Sequence, residues 1–192
     1  MLSDLIRKNR SCRRFYQDHV VACDVLEGLV NLARLSASAG NLQPLKYILS
    51  VSAQKNAEIF TCLSWAGYLE NWPGPDKGQR PAAYIVVVGD TRISKHIGCD
   101  HGIACQSILL GAREAGLAGC IIGAIDRPKL KRILRLPESM KILLVVAIGK
   151  PREVAVIDTV GPEGDIRYWR DEKERHHVPK RKLAEIILER YA

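Results

Sequence analysis

Two segments near the start of the chain hold residues whose types suit a phosphate-bearing ligand. In the first, Arg10, Ser11 and Arg13 set two fixed positive charges beside a hydroxyl group. The planar guanidinium fork matches the oxygens of a phosphate, and a spacing of three puts both arginines on one side of a helix end. A basic helix end that complements the helix dipole has the same pattern, so the spacing alone leaves both interpretations open.

The second segment, residues 36–44, is a run of small and amide residues. Ser38, Asn41 and Gln43 surround Gly40 just before a proline. Such a turn offers amide donors and acceptors to the edge of a heteroaromatic ring. An ordinary loop between a helix and a strand favours most of the same residues, although Gln43 is neither a cap nor a turn former.

Two further places could contact a ligand. Ile122 and Gly123 end an apolar stretch, where bare backbone allows either a ligand or a neighbouring helix to approach closely. Lys180 and Arg181 belong to a basic cluster that could close over a phosphate, although a solvated face is the more common role of such a cluster.

The segment 65–81 is rich in glycine, proline and aromatic residues. A loop of this length in a compact domain is usually a lid or a binding loop. Trp65, Tyr68 and Trp72 are therefore candidate substrate-binding residues, with packing in a protein interface as the alternative.

Composition narrows the class of protein. The 192 residues fit one domain, and 29 Lys+Arg against 21 Asp+Glu give a net charge of +8. A basic protein that binds nucleic acid is one interpretation. Aromatic residues are only 6% and the charge is spread out except at 167–182, which favours an anionic small ligand instead.

Cysteine and histidine spacing predicts no metal site. Six cysteines form no CxxC pair and no histidine stands at zinc-ligand spacing. Because the first eight residues lack the apolar region of a signal peptide, we expect reduced thiols and a cytoplasmic protein. Apolar runs are too short to span a bilayer. His176 and His177 fit the common pattern of exposed loop histidines.

Hydrophobic periodicity predicts the elements that must position these residues. Helices are expected over 2–9, 22–35 (with Asp24 as N-cap), 54–63, 100–116, 127–134 and 181–190, and strands over 47–51, 82–88, 120–125 and 142–148. The helix over 100–116 is apolar nearly all round, which predicts a central, buried position. Residues 152–192 show little core of their own before their final helix.

In their order along the chain, these segments resemble the nitroreductase family of FMN-dependent oxidoreductases. Residues 10–13 are similar to that family's RRSxR pattern, and residues 36–44 to its APSAxNxQPW pattern. Further similarity lies in 100–110, 116–124, 147–151 and 179–182. Asn9 stands where the family usually has an arginine, Ala37 where it has a proline, and Leu45 where it has a tryptophan.

The resemblance implies an α+β fold, with a mostly antiparallel central sheet flanked by helices, in an intertwined homodimer. Residues 1–192 would form one FMN-binding domain whose extension, 152–192, wraps the partner subunit. The activity implied is hydride transfer from NAD(P)H through flavin N5 to nitroaromatic, quinone or related acceptors. A flavin reductase, a dehalogenase-like enzyme or another flavin-handling enzyme of the same fold is the alternative.

The resemblance also implies roles for single residues. Arg10 and Ser11 would hold the phosphate and ribityl end of FMN, and Arg13 would lie near flavin N1 and O2 as a stabiliser of the reduced ring. The backbone at Ile122 and Gly123 would meet the flavin near N5, and Arg181 with Lys180 would close on the phosphate. The cofactor-binding set within 36–44 comprises Ala37, Ser38, Ala39, Asn41 and Gln43, of which Ser38, Ala39 and Asn41 would come from the partner subunit.

Overall fold

The computed structural model describes residues 1–191. The helices are α1 (Leu2–Lys8), α2 (Cys23–Arg34), α3 (Ala53–Phe60), α4 (Asp100–Glu114), α5 (Arg127–Ile133) and α6 (Leu183–Ile186), with a short 3-10 helix at Ala39–Asn41. The strands are β1 (Phe15–Tyr16), β2 (Leu45–Ser50), β3 (Ala83–Asp90), β4 (Ala118–Ile122), β5 (Met140–Pro151), β6 (Ala155–Thr159), β7 (Trp169–Arg170) and β8 (His176–Lys180).

Five strands form the central sheet, and every pairing in it is antiparallel. β3 lies between β2 and β5, and β5 also pairs with β4 and, at its end, with β1. The long β5 therefore holds both the start of the chain, through β1, and the edge strand β4. The predicted α+β fold with a mostly antiparallel sheet is confirmed.

The core consists of two apolar layers, one on each face of the sheet. In β3, Ile85 and Val87 pack into the layer of α2 and α4, whereas Val86 and Val88 pack against α3 and α5. Every residue of β3 is buried, as expected of a strand covered on both faces. Gly119 in β4 allows close approach, because a Cβ there would lie 2.5 Å from the carbonyl oxygen of Ala147.

Several predicted boundaries and caps are wrong. Asp24 does not cap α2, which begins after Ala22. The Asp24 carboxylate lies in the first turn instead, where it interacts favourably with the helix dipole. α3 ends at Phe60, and β4 covers Ala118–Ile122 instead of reaching 125. α6 spans only four residues, since it buries none of its side chains and gains little from packing.

α4 is only partly buried, which corrects the expectation of a fully enclosed helix. Its inner face, including Ala104, Ile108 and Ala112, packs in the core, but Ile103 is 37% exposed and Gln106 is exposed as well. Part of the surface of α4 is therefore left uncovered by residues 1–191.

The tail is more structured than its sequence predicts. β6 pairs parallel with β8, and β7 pairs antiparallel with β8, to form a separate three-stranded sheet. These strands are two to five residues long and largely half-exposed. A short strand with few buried side chains gives little hydrophobic alternation, which explains why the pattern was missed.

Candidate functional site

The turn that follows α1 brings most of the first predicted segment into one cavity of about 280 Å³. The α1 helix ends at Lys8 with Asn9 as its C-cap, and the Cys12 amide donates to the carbonyl of Gly119 in β4 at 2.9 Å. This ties the turn to the edge of the central sheet. The cavity, called here the basic cavity, is lined by Asn9, Arg10, Ser11, Arg13, Gln106, Leu109, Ile121, Tyr168, His176, Val178 and Lys180.

The charge in the basic cavity is of one sign. Arg10, Arg13 and Lys180 supply three cationic side chains, and no carboxylate is among the lining residues. Arg10 donates from Nη2 to the carbonyl of Ile6, while its buried Nε has no partner among residues 1–191. Guanidinium, hydroxyl and ammonium groups that line one cavity fit the oxygens of a phosphate group.

The guanidinium of Arg13 is held by two rings from the tail. Its Nη1 lies 2.9 Å from Nε2 of His176, and its Cζ lies 4.6 Å from the ring centre of Tyr168. Burial, followed by the charge of Arg13, lowers the pKa of His176 to about 4. The imidazole is therefore neutral near pH 7 and accepts a hydrogen bond from Arg13.

The backbone beside Arg13 is anchored by one buried carboxylate. The amides of Arg13 and Arg14 both donate to Glu153, whose side chain is 3% exposed. Arg170 from β7 donates to the other oxygen of Glu153 at 3.1 Å. The carboxylate thus neutralises part of the local charge outside the cavity and joins the tail to the start of the chain.

The end of β4 lines a second, adjoining space of about 230 Å³, the strand-end cavity. Ile122 is buried in the core, while Ile121 points the other way, is 37% exposed and lines both cavities. Gly123 and Arg13 also line this space. Ile121 was missed by the sequence prediction, although strand alternation would have indicated that it faces away from Ile122.

The three predicted substrate-binding aromatic residues have different surroundings. Trp65 lines the strand-end cavity but is 7% exposed and packs in the core beside Phe60. Tyr68 is 50% exposed and its ring lies 4.9 Å from that of Tyr168. Trp72 lines neither the basic cavity nor the strand-end cavity, and its ring lies 4.4 Å from the guanidinium carbon of Arg170.

The second predicted segment lies at a different cavity, of about 440 Å³. This turn cavity is lined by Val30, Ala33, Arg34, Ser36, Ala37, Ser38, Gln43, Leu45, Lys46, Tyr47, Leu49, Asp100 and Ala104. It shares no lining residue with the basic cavity. Ala37, Ser38 and Gln43 are therefore brought together with each other and not with Arg10, Ser11 and Arg13 of the same chain.

A buried carboxylate holds the turn in place. Asp100, at the start of α4 and 3% exposed, accepts from the Ser38 hydroxyl at 2.6 Å and from the Ala39 amide at 3.0 Å. Sequence reasoning missed Asp100, because a single acid at the start of a helix normally serves the helix dipole alone.

The backbone of the turn is unusual for residues other than glycine. Asn41 and Gln43 have φ values of 54° and 52°, next to Gly40 at 56°. Left-handed backbone outside glycine is uncommon and is often found where a chain is shaped for binding. The Gln43 side chain donates to the carbonyl oxygen and to the Oδ1 of Asn41, both at 3.2 Å. These bonds within the turn give Gln43 a structural role there.

The basic cluster at the end of β8 is divided. Lys180 lines the basic cavity, whereas Arg181 is exposed and lies outside its lining. His176 is 1% exposed, so its interpretation as an exposed loop histidine is wrong. His177 is half-buried, with its ring nitrogens 2.7 Å from Asp158 and 3.2 Å from Asp171.

Residues 1–191 contain neither a metal-binding cluster nor a membrane-spanning helix. No group of three or more His, Cys, Asp or Glu side chains there is arranged to hold a metal ion. None of the described helices has the length and apolar character needed to cross a bilayer. All six cysteines are free thiols, and burial raises the pKa of Cys120 beside the cavities.

The chain is similar in sequence to two named proteins. The chain is 27% identical over 148 residues to an Archaeoglobus fulgidus protein named provisionally as an NADH dehydrogenase/NAD(P)H nitroreductase, covering 73% of this chain and 80% of the relative. It is 25% identical over 175 residues to the iodotyrosine deiodinase of Haliscomenobacter hydrossis, covering 78% and 79%.

Solved structures share the fold. An FMN-dependent nitroreductase from Clostridium difficile superposes with a TM-score of 0.64 at 22% identity, covering 79% of this chain and 88% of that one. A nitroreductase family protein from Streptococcus pneumoniae covers 99% of this chain and 100% of its own, with a TM-score of 0.70 at 16% identity. A model of the Nitroreductase family matches residues 6–150, and the chain therefore belongs to the Nitroreductase family, a family of oxidoreductases.

Proposed function

We propose that the protein is an FMN-dependent oxidoreductase that transfers a hydride from NAD(P)H, through flavin N5, to nitroaromatic, quinone or related acceptors. The observation that supports this most is the basic cavity, in which Arg10, Ser11, Arg13 and Lys180 converge without a facing carboxylate. Family membership and the FMN-dependent neighbour from Clostridium difficile support the choice of cofactor.

The residues present fit FMN in both charge and shape. Arg10, Ser11 and Lys180 would bind its phosphate, and Arg13 would place a fixed cation at the ring edge, where it stabilises negative charge. Ile121, Ile122 and Gly123 would give the ring an apolar wall and a bare backbone edge at the strand-end cavity. When bound, FMN supplies the redox centre, whose N5 atom takes and gives a hydride.

The site is proposed to be completed by a second copy of the chain. The basic cavity, at about 280 Å³, is below the usual range of about 300–1,000 Å³ for a cofactor pocket. Exposed apolar side chains that a second subunit would cover include Leu35, Leu42 and Ile103 near the turn and Leu183, Leu188 and Tyr191 in the tail. The partner's turn would then supply Ser38, Ala39 and Asn41 to the flavin.

The absorbance spectrum of the purified protein tests the cofactor and the reductant together. We expect a yellow protein with flavin absorbance that bleaches when NAD(P)H is added without oxygen. Apoprotein that FMN fails to reconstitute would contradict the proposal, and gel filtration with light scattering would check the dimer.

A dehalogenase-like activity is the second candidate, because of the likeness to iodotyrosine deiodinase. The exposed Tyr68 and its neighbour Tyr168 would offer stacking faces to a halogenated phenol. Iodide release from 3-iodotyrosine by the reduced enzyme would support this function. No release, together with rapid nitroaromatic reduction, would favour the first candidate.

A further inference from the structure

His176 makes one side-chain hydrogen bond within the described chain, and that bond goes to Arg13. Its Nε2 lies 2.9 Å from Arg13 Nη1, while its buried Nδ1 has no partner among residues 1–191. A guanidinium can only donate, so Nε2 must be the acceptor and the ring proton must lie on Nδ1. The ring is thus a neutral acceptor dedicated to one arginine.

The surroundings of the ring keep it in that state. Arg13, Arg170 and His177 oppose a positive charge on His176, and only the carboxylate of Glu153 favours one. The ring is 1% exposed and lies 5.2 Å from the Tyr168 ring. Burial and the adjacent cations therefore favour neutral imidazole, in agreement with the lowered pKa.

Arg13 is in turn fixed at each of its parts by the segment 153–176. Its amide donates to Glu153, its guanidinium face meets Tyr168, and its tip donates to His176. An unrestrained arginine would lose considerable rotamer freedom on binding a ligand. With these contacts in place, the cation stands ready at the wall shared by the basic and strand-end cavities.

We propose that His176 is a positioning residue of the flavin site: it holds the Arg13 guanidinium, through the Nε2 acceptor, at the orientation that stabilises reduced flavin. This inference rests on the proposed FMN function. It assigns a role to the tail, which lies outside the residues 6–150 matched by the family model. It also explains why a polar side chain is buried at the first residue of β8.

Three variants separate positioning from folding. His176→Phe keeps a ring against Tyr168 but removes the acceptor, whereas His176→Gln keeps an acceptor oxygen. His177→Gln is the matched control, because the neighbouring residue bonds Asp158 and Asp171 and lines none of the cavities described. For each protein, the dissociation constants of oxidised and reduced FMN, the two-electron potential and the melting temperature are measured.

We expect His176→Phe to weaken the binding of reduced FMN about tenfold more than the binding of oxidised FMN. This difference lowers the two-electron potential of the bound flavin by about 30 mV. His176→Gln should recover most of this ratio, and His177→Gln should lower the melting temperature while leaving the ratio unchanged. An unchanged ratio in His176→Phe, or an equal change in His177→Gln, would overturn the proposal.

An apoprotein measurement distinguishes this inference from the proposed function. Nitrogen-15 NMR of the histidine rings, assigned with His176→Gln, should show a neutral His176 with its proton on Nδ1. A proton on Nε2, or a cationic ring at neutral pH, would overturn the inference even if FMN binds. Failure of wild-type protein to bind FMN would instead overturn the proposed function.

Discussion

The basic cavity and the turn cavity differ in where their buried carboxylate lies. In the basic cavity, cations face the open space and the neutralising carboxylate, Glu153, lies behind them. In the turn cavity, the carboxylate of Asp100 holds the turn itself and lines the space. The first is suited to a strongly anionic group and the second to a larger, partly apolar one. In the function proposed above, each would form half of a cofactor site that two copies of the chain assemble.

The largest expected effect comes from disrupting the basic cavity in one copy of the chain and the turn cavity in the other. Arg13→Glu reverses a charge in the basic cavity, and Ala37→Trp fills the turn cavity from an exposed position. Each variant alone should fail to bind FMN. When the two are co-expressed, a mixed dimer has one intact site of two, and random pairing restores about one quarter of all sites.

Flavin fluorescence quenching and absorbance measure that recovery, with separately tagged chains used to isolate the mixed dimer. A double variant carrying both changes in one chain, mixed with wild type, is the matched control. If the isolated mixed dimer did not recover FMN binding, the two cavities would not belong to one shared site.

Removing the charge of Arg13, in contrast to reversing it, should affect the chemistry more than the binding of FMN. Arg13→Ala removes the cation proposed to stabilise the reduced ring, so flavin reduction by NAD(P)H should slow about a hundredfold and the potential should fall. Arg13→Lys keeps the charge but loses the planar fork, and should be intermediate. Stopped-flow absorbance measures the rate, and an unchanged potential in Arg13→Ala would remove this role.

The same comparison shows what the sequence could predict. Arg10, Ser11 and Arg13 lie within four residues, so their chemistry is visible as a short motif and the structure brings them to one cavity. The central strands were also predictable, since residues 82–88 and 142–148 are continuous apolar runs. Both signals are local, which is why they survive without knowledge of tertiary packing.

Contacts between distant segments were not predictable. Arg13 and His176 are 163 residues apart, and nothing in the composition near His176 distinguishes a buried acceptor from a solvated histidine. The same holds for Asp100 and Ser38, which are 62 residues apart. Such pairs depend on how the tail and α4 pack onto the sheet, and the resemblance alone would not have assigned Asp100 or His176.

A smaller effect is expected when Asp100 loses its charge. Asp100→Asn weakens the bonds from the Ser38 hydroxyl and the Ala39 amide. A hydrogen bond to a charged group contributes about 1.5–3 kcal/mol, so the free energy of unfolding should fall by about 2 kcal/mol. Urea denaturation measures this fall.

The exposed Asp4→Asn is the control for that experiment and should change stability little. If Asp100→Asn were equally neutral in urea, the carboxylate would not be the group that holds the turn. FMN affinity should weaken with Asp100→Asn and not with Asp4→Asn, because only the former belongs to the turn cavity.

The remaining effect is the pH dependence that two neighbouring histidines give to the stability, with opposite signs. Bonds to Asp158 and Asp171 raise the pKa of His177 above 6.5, so its stabilisation is present below that pH and is lost as pH rises through the folded pKa. The pKa of His176 is lowered to about 4 from 6.5, so between these values the unfolded chain binds a proton that the folded chain does not. Stability from His176 therefore falls as pH drops from about 6.5 to 4.

Each histidine can be removed separately to test these signs. In His176→Phe, the free energy of unfolding should fall less as the pH drops from about 6.5 to 4. In His177→Gln, it should fall less as the pH rises above 6.5. Urea denaturation from pH 4 to 8 gives both curves. If both variants changed the same side, one of the two rings would have the wrong protonation state, and for His176 that would remove the acceptor on which the position of Arg13 depends.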